Sequence, residues 1–280
     1  MRILLTNDDG IDAPGIRHLA EAIAPLGEVT VIAPAHEHSG ASCAIGPIWI
    51  EHPTVIKRDD FPVEGIVEAF SVDGPPALCA FYARLGAFGP PFDLVVSGIN
   101  PGANVGRSVY HSGTVGACLS GRHAGWSGVA VSQASNWAAE GQAVEDSIAA
   151  QKWESAGRVA ATFVEAMLRD LPAHPVVANI NVPNVDVDEI AGWAITEIGE
   201  RPPRAMTKAQ LVAREGETDV FDIDVVAGDL VELPVEWDAG AVERNLVSVS
   251  YISSFVHEPR TDLAAAEAAL DAFVGRHGAA

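Results

Sequence analysis

Residues 2–34 read RILLTNDDGIDAPGIRHLAEAIAPLGEVTVIAP. Ile3 to Thr6 is a short apolar run, the pattern of a strand buried on both faces. Asn7-Asp8-Asp9-Gly10 follows directly and carries turn residues. The sequence predicts a helix from Pro14 to about Ala24, because proline suits a first helical position and Asp12 is a plausible N-cap. Ile16, Leu19, Ala20 and Ile23 recur on one face of it. Pro25 and Gly27 end it, and Glu28 to Ala33 reads as a second strand. A strand, a helix and a strand in this order predict parallel pairing through a right-handed crossover.

The same alternation continues outward. A polar loop over 34–47 precedes two or three irregular strands that end near Val72. Pro75 and Pro76 open a short helix over Ala77 to Leu85. Leu94 to Ser97 is a further buried strand, and Gly98 to Gly106 is a loop built for tight turns. Ser112-Gly113-Thr114 begins a helix reaching about Ala124. Gly128 to Ser132 and Val176 to Val182 read as core strands on either side of one long amphipathic helix from about Val144 to Leu171. The expected class is α/β, a Rossmann-like, mostly parallel sheet flanked by helices, with a β-rich C-terminal extension. Residues 1–195 are expected to form the α/β core that carries the site, and 196–260 an extension that serves oligomerisation. Residues 261–280 would add a C-terminal helix, all within a single domain. In the extension Asp219 to Val226 and Leu230 to Val235 are expected to pair as a hairpin around Gly228. In the tail Asp262 to Val274 is amphipathic, with Gly275 past its apolar face.

The 280-residue length allows one large core. A net charge of −21 argues against an extended nucleic-acid groove, which needs a basic stripe. An anionic substrate would therefore bind through a local device. Cys43, Cys79 and Cys118 are too few and too scattered for a disulfide framework and read as small buried hydrophobes. No stretch is apolar for long enough to span a bilayer. The apolar run after Arg2 is too short for a signal peptide, so the expected location is cytoplasmic.

Three loops should meet at the carboxyl edge of the sheet, where open α/β folds bind ligands. One carries Asp8 and Asp9, one Ser39, and one Asn100. Adjacent carboxylates repel unless a cation lies between them. Two carboxylates, a hydroxyl and a carboxamide are hard oxygen donors that suit Mg²⁺, Mn²⁺ or Ca²⁺. Ser112-Gly113-Thr114 opens a helix, where free N–H groups and the helix dipole favour an anion. The expected glycine role is to let a phosphate approach. A cation on one side and a helix N-terminus on the other form a phosphoryl clamp suited to hydrolysis. Each motif alone has a plain reading as a turn, a loop or a cap. His36, His38 and His111 lie near these loops, and His18 is expected to be structural.

The chain resembles the SurE family (survival protein E, a 5′/3′-nucleotidase). The resemblance runs in order through Leu4 to Gly10, Ala13-Pro14-Gly15-Ile16, Ala33-Pro34, Ser39 to Ser42, Gly74 to Ala77, Asp93 to Asn100 and Ser112 to Ala117. It continues in Asn179-Ile180-Asn181-Val182-Pro183 and fades in the last third. The resemblance implies that Asp8, Asp9, Ser39 and Asn100 hold one divalent metal ion, Mg or Mn. It implies that Asn104, Ser112, Gly113 and Thr114 bind phosphate. It also implies a homodimer or homotetramer with exchanged C-terminal segments. The chain departs from the family's pattern at Arg107 and Ser108, where acidic residues are usual, and at His111 before the Ser-Gly-Thr turn.

The expected activity is a metal-dependent phosphomonoesterase of the acid-phosphatase-like, SurE type. It would hydrolyse a small nucleoside 5′- or 3′-monophosphate to nucleoside and phosphate. Asp8 and Asp9 would be the catalytic residues, with water or Asp8 as nucleophile. The alternatives are a non-catalytic protein that binds a phosphorylated ligand on the same fold, and a nucleotide-sugar transferase.

Overall fold

The computed structural model describes residues 1–46, 48, 53–135, 144–252 and 262–274. Gly275 lies outside them. The main sheet begins with β1 (Arg2–Thr6), β2 (Glu28–Pro34), β3 (Ile56–Arg58) and β4 (Ile66–Val72). It continues with β5 (Leu94–Pro101), β6 (Ser127–Gln133), β7 (Val177–Val182), β8 (Gly192–Ile195) and β11 (Leu246–Ile252). These nine strands lie in the order β3-β4-β2-β1-β5-β6-β7-β11-β8. From β4 to β7 every pairing is parallel. The chain moves outward from β1 to β2 and β4, then returns to place β5 on the other side of β1. The direction of winding therefore reverses between β1 and β5, which is the switch point where ligands bind in open sheets.

Both faces of the sheet are covered, which explains the continuous apolar strands. Ile3 and Leu5 face a cluster with Ile16, Leu19 and Ile23 of α1 (Pro14–Ile23) and Ala156, Ala160 and Val164 of α5 (Trp153–Arg169). Leu4 faces the opposite cluster, with Leu78 of α2 (Pro76–Arg84) and Val115 and Cys118 of α3 (Gly113–His123). Helix α1 starts at Pro14 as expected, but its N-cap is Ala13 with no side-chain cap bond, so Asp12 does not cap it. The residue before a proline is forced into extended geometry, which stops the helix there without a capping side chain.

Three further expectations change. The long helix after β6 is two, α4 (Val144–Ala149) and α5. They break at Lys152, whose N–H donates to Asn184 Oδ1 and whose carbonyl accepts from Gln133 Nε2, both at 2.8 Å. Side chains from two other segments thus take backbone groups that a continuous helix would use. In the extension, β10 (Phe221–Ala227) pairs not with Leu230 to Val235 but with β9 (Met206–Ala213), antiparallel. Leu233 is instead buried against Val105 and Ala239 of the short helix α6 (Asp238–Val242), an element the sequence did not announce. Cys79 and Cys118 are buried as expected, whereas Cys43 is exposed.

Strand β11 joins the main sheet, antiparallel to β7 and parallel to β8. The tail forms α7 (Ala264–Val274). Among the described residues no helix is long and apolar enough to cross a membrane.

Candidate functional site

Asp8 and Asp9 leave β1 at the switch point. Gly10 turns the chain with φ +100°, a conformation that side chains disfavour. Asp8 is buried and Asp9 half-buried. Thr114 donates its hydroxyl proton to Asp8 Oδ1 at 2.6 Å. The N–H groups of Gly113 and Thr114 also support this carboxylate, but burial outweighs them and raises the Asp8 carboxyl above its ordinary range. Burial pushes Asp9 up to about 8, helped by the neighbouring charges of Asp8 and Glu37. Asp9 Oδ2 is buried with no hydrogen-bond partner. Among the described residues neither acid has a salt-bridge partner.

Ser39 lies on the loop after β2, which is docked on the acid turn: the His38 N–H donates to the Asp8 carbonyl at 2.7 Å. Glu37 accepts the Ser39 N–H at 2.8 Å, and hydrogen bonds from Ser39 pull the Glu37 carboxyl below its usual range. Asn100 lies near the end of β5, next to β1. Its Nδ2 donates to the Gly102 carbonyl at 2.6 Å, which leaves Oδ1 as the uncommitted end.

The start of α3 is organised around Asp8. Ser112 is the N-cap and accepts the Val115 N–H at 3.1 Å. A Cβ at Gly113 would lie 2.8 Å from Asp8 Cβ and 2.9 Å from Asp8 Oδ2. The glycine is therefore needed for the close approach of the aspartate, and part of the helix's donor capacity is already directed at that carboxylate. This differs from a glycine explained by phosphate alone.

Asn104 connects the two halves of the site. Its Nδ2 donates to Ser132 Oγ at 2.8 Å and to Thr114 Oγ1 at 3.4 Å, so a hydrogen-bonded chain runs from Asn104 through Thr114 to Asp8. Its backbone is gripped from β7. The Asn104 N–H donates to Asn181 Oδ1 at 2.7 Å, and the Asn104 carbonyl accepts from Asn179 Nδ2 and Asn181 Nδ2 at 2.9 and 3.1 Å. Sequence reasoning assigned no role to Ser132, Asn179 and Asn181. The available signal was a pair of amides at alternate positions in an otherwise apolar strand, because buried polar side chains are retained only with partners.

A divalent cation fits this donor set. Two acids have no basic partner among the described residues, Asp8 buried and Asp9 half-buried with one orphaned oxygen, and the loop of Ser39 and the end of β5 that carries Asn100 run to the same sheet edge. Among the described residues no three His, Cys, Asp or Glu side chains group as a metal site. A cation here would draw its remaining protein ligands from neutral oxygens, as hard cations do. A cavity of about 530 Å³, lined by residues including His18, Gln151, Trp153 and Asp186, contains none of the predicted site residues. His18 stacks there on Trp153 with ring centroids 6.0 Å apart.

A family model described as Survival protein SurE matches residues 3–205. A 5′-nucleotidase SurE from Acinetobacter baumannii is 36% identical over 264 residues, covering 85% of this chain and 94% of that protein. One from Methylococcus capsulatus is 36% identical over 253 residues, covering 89% and 90%. The crystal structure of a SurE protein from Aquifex aeolicus superposes with a TM-score of 0.71 at 26% identity, covering 98% of this chain and 99% of that one.

Proposed function

Because the chain belongs to the SurE family, we infer that it is a nucleotidase, a phosphatase acting on nucleoside monophosphates. SurE nucleotidases depend on a metal ion in general. The observation that carries the reading to this chain is the adjacent pair of buried Asp8 and half-buried Asp9, without a basic partner among the described residues. We propose Mg²⁺ or Mn²⁺ held by Asp8, Asp9, Ser39 and Asn100. Such an ion lowers the pKa of water and neutralises phosphoryl oxygens when bound.

The chain's own residues do the positioning. Thr114 fixes the Asp8 carboxylate and thereby the acid pair. The Asn104 amide NH₂, whose second proton is held only by the long 3.4 Å contact to Thr114, the Ser112 hydroxyl proton and the start of α3 offer donors for phosphoryl oxygens. In hydrolysis the bond from phosphorus to the ester oxygen breaks. The oxygen of water joins phosphorus, and one proton ends on the departing alkoxide. The hydrogen bonds already held by Asp8 favour an anchoring role for it over direct attack, because they stabilise the unreacted carboxylate. The exposed apolar residues of β9 and β10 support assembly as a homodimer or homotetramer through the C-terminal segments.

The test is a panel of 5′- and 3′-monophosphates assayed for phosphate release in EDTA, then with Mg²⁺, Mn²⁺ or Co²⁺ restored. Release that requires the cation is expected. Equal release in EDTA would sink the metal assignment. No release from any monophosphate, with ligand-induced thermal stabilisation, would favour a binding protein instead.

A further inference from the structure

We propose that Asp238, in the C-terminal extension, is a positioning residue for the turn at Asn104: its carboxylate ties Gly106 to Gly199 and so fixes where Asn104 stands. The inference rests on the reading of Asn104 as a phosphoryl contact.

Asp238 is fully buried and 132 positions from Gly106 in the chain. Its Oδ2 accepts the Gly106 N–H at 2.8 Å. Its Oδ1 accepts the N–H of Gly199 at 3.1 Å and that of Ala239 at 2.8 Å. Its own N–H donates to the Glu197 carbonyl at 2.9 Å, which fixes the backbone that carries the acid. Gly106 opens the helical turn Gly106–His111 with φ +57°, and a Cβ there would lie 3.0 Å from the Arg201 backbone. Val105, between Asn104 and Gly106, is buried against Leu233 and Ala239.

The tripeptide Asn104-Val105-Gly106 is therefore held at each residue, by β7 amides, by an apolar contact and by a carboxylate. The extension supplies the last two. A carboxylate suits its place because both oxygens accept and all three partners are N–H donors. An asparagine would turn an NH₂ toward one or more of them, placing donor against donor. Loosening Gly106 would displace Asn104, two residues away, and the Ser112 turn that follows.

The test uses the full chain with Asp238→Asn, Asp238→Glu and, one helical turn on, Val242→Ala as a packing control. Asp238→Asn should lower kcat/KM on a nucleoside monophosphate by about a hundredfold, the usual cost of slight misplacement. It should raise the inhibition constant of inorganic phosphate by about tenfold while leaving metal affinity unchanged. Amide hydrogen exchange should quicken across 102–112 and stay unchanged in β1 and β2. Asp238→Glu should recover part of kcat/KM. Val242→Ala should lower the melting temperature without moving either kinetic constant. The proposal is overturned if Asp238→Asn leaves exchange over 102–112 unchanged, or only destabilises as Val242→Ala does. A wild-type protein inactive on all monophosphates would end the functional reading. The exchange measurement would still decide the role of Asp238.

Discussion

Asp9 concentrates the physical tension of the site. It is a half-buried acid flanked by Asp8 and Glu37, and burial pushes it up to about 8. Asp9→Asn should therefore have two opposite effects. Phosphate release should fall by about a hundredfold or more if Asp9 is, as proposed, a ligand of the cation. The metal-free protein should melt higher than wild type at pH 8, where the wild-type acid is losing its proton, and show little gain at pH 5. Retained activity at low added cation would overturn the assignment. Gly113 is the complementary case. A Cβ there would press on Asp8 at 2.8 Å. Gly113→Ala should reduce kcat/KM by roughly tenfold or more through displacement of Asp8. Helix α3 itself should survive, since alanine is the better helix former. Unchanged kinetics in Gly113→Ala would show that the contact is easily relieved.

At the scale of elements, the hairpin β9–β10 is the part least explained by its own fold. Every position of β9 is exposed, and Leu211 and Ile223, directly opposite across the ladder, are 66% and 60% exposed. A two-stranded ribbon is marginal alone and gains from packing on a partner. The double variant Leu211→Lys, Ile223→Lys should lower the mass seen by light scattering. The melting temperature of the separated chain should barely change, as is usual for surface substitutions. An unchanged mass would remove the hairpin from the interface. The sequence misassigned this element because the Leu230 to Val235 segment also carries strand-like residues. Its fate is decided by Leu233, which fills a gap against Val105 and Ala239 that only the folded chain creates. The break at Lys152 has the same origin. Local periodicity continues through it, and the competing hydrogen bonds come from Gln133 and Asn184.

For the whole molecule, the acid pair links stability to pH and, through the proposed cation, to metal. The unfolded reference for Asp9 is 3.8, and its folded value is about 8. Between these values the metal-free native state holds more protons than the unfolded state, so stability falls as pH rises and levels off above about 8. The raised Asp8 carboxyl acts with the same sign. EDTA should therefore lower the melting temperature more at pH 8 than at pH 5. A cation at about 100 times its Kd restores roughly 2.7 kcal/mol, or several degrees for a chain of this size. A metal effect that is flat with pH would place the ion away from these acids. The sequence alone determined the α/β class, the order of the main strands up to β7 and the acid pair after β1. Those features follow from local rules: strand and helix periodicity, proline and glycine punctuation, and the short reach between a strand end and its turn. Only the tertiary structure decided what Gly113 accommodates, what grips Asn104 and what ties Gly106 down. Those partners come from the turn after β1, from β7 and from residue 238, and the folding of distant segments onto one edge, not chain order, brings them together.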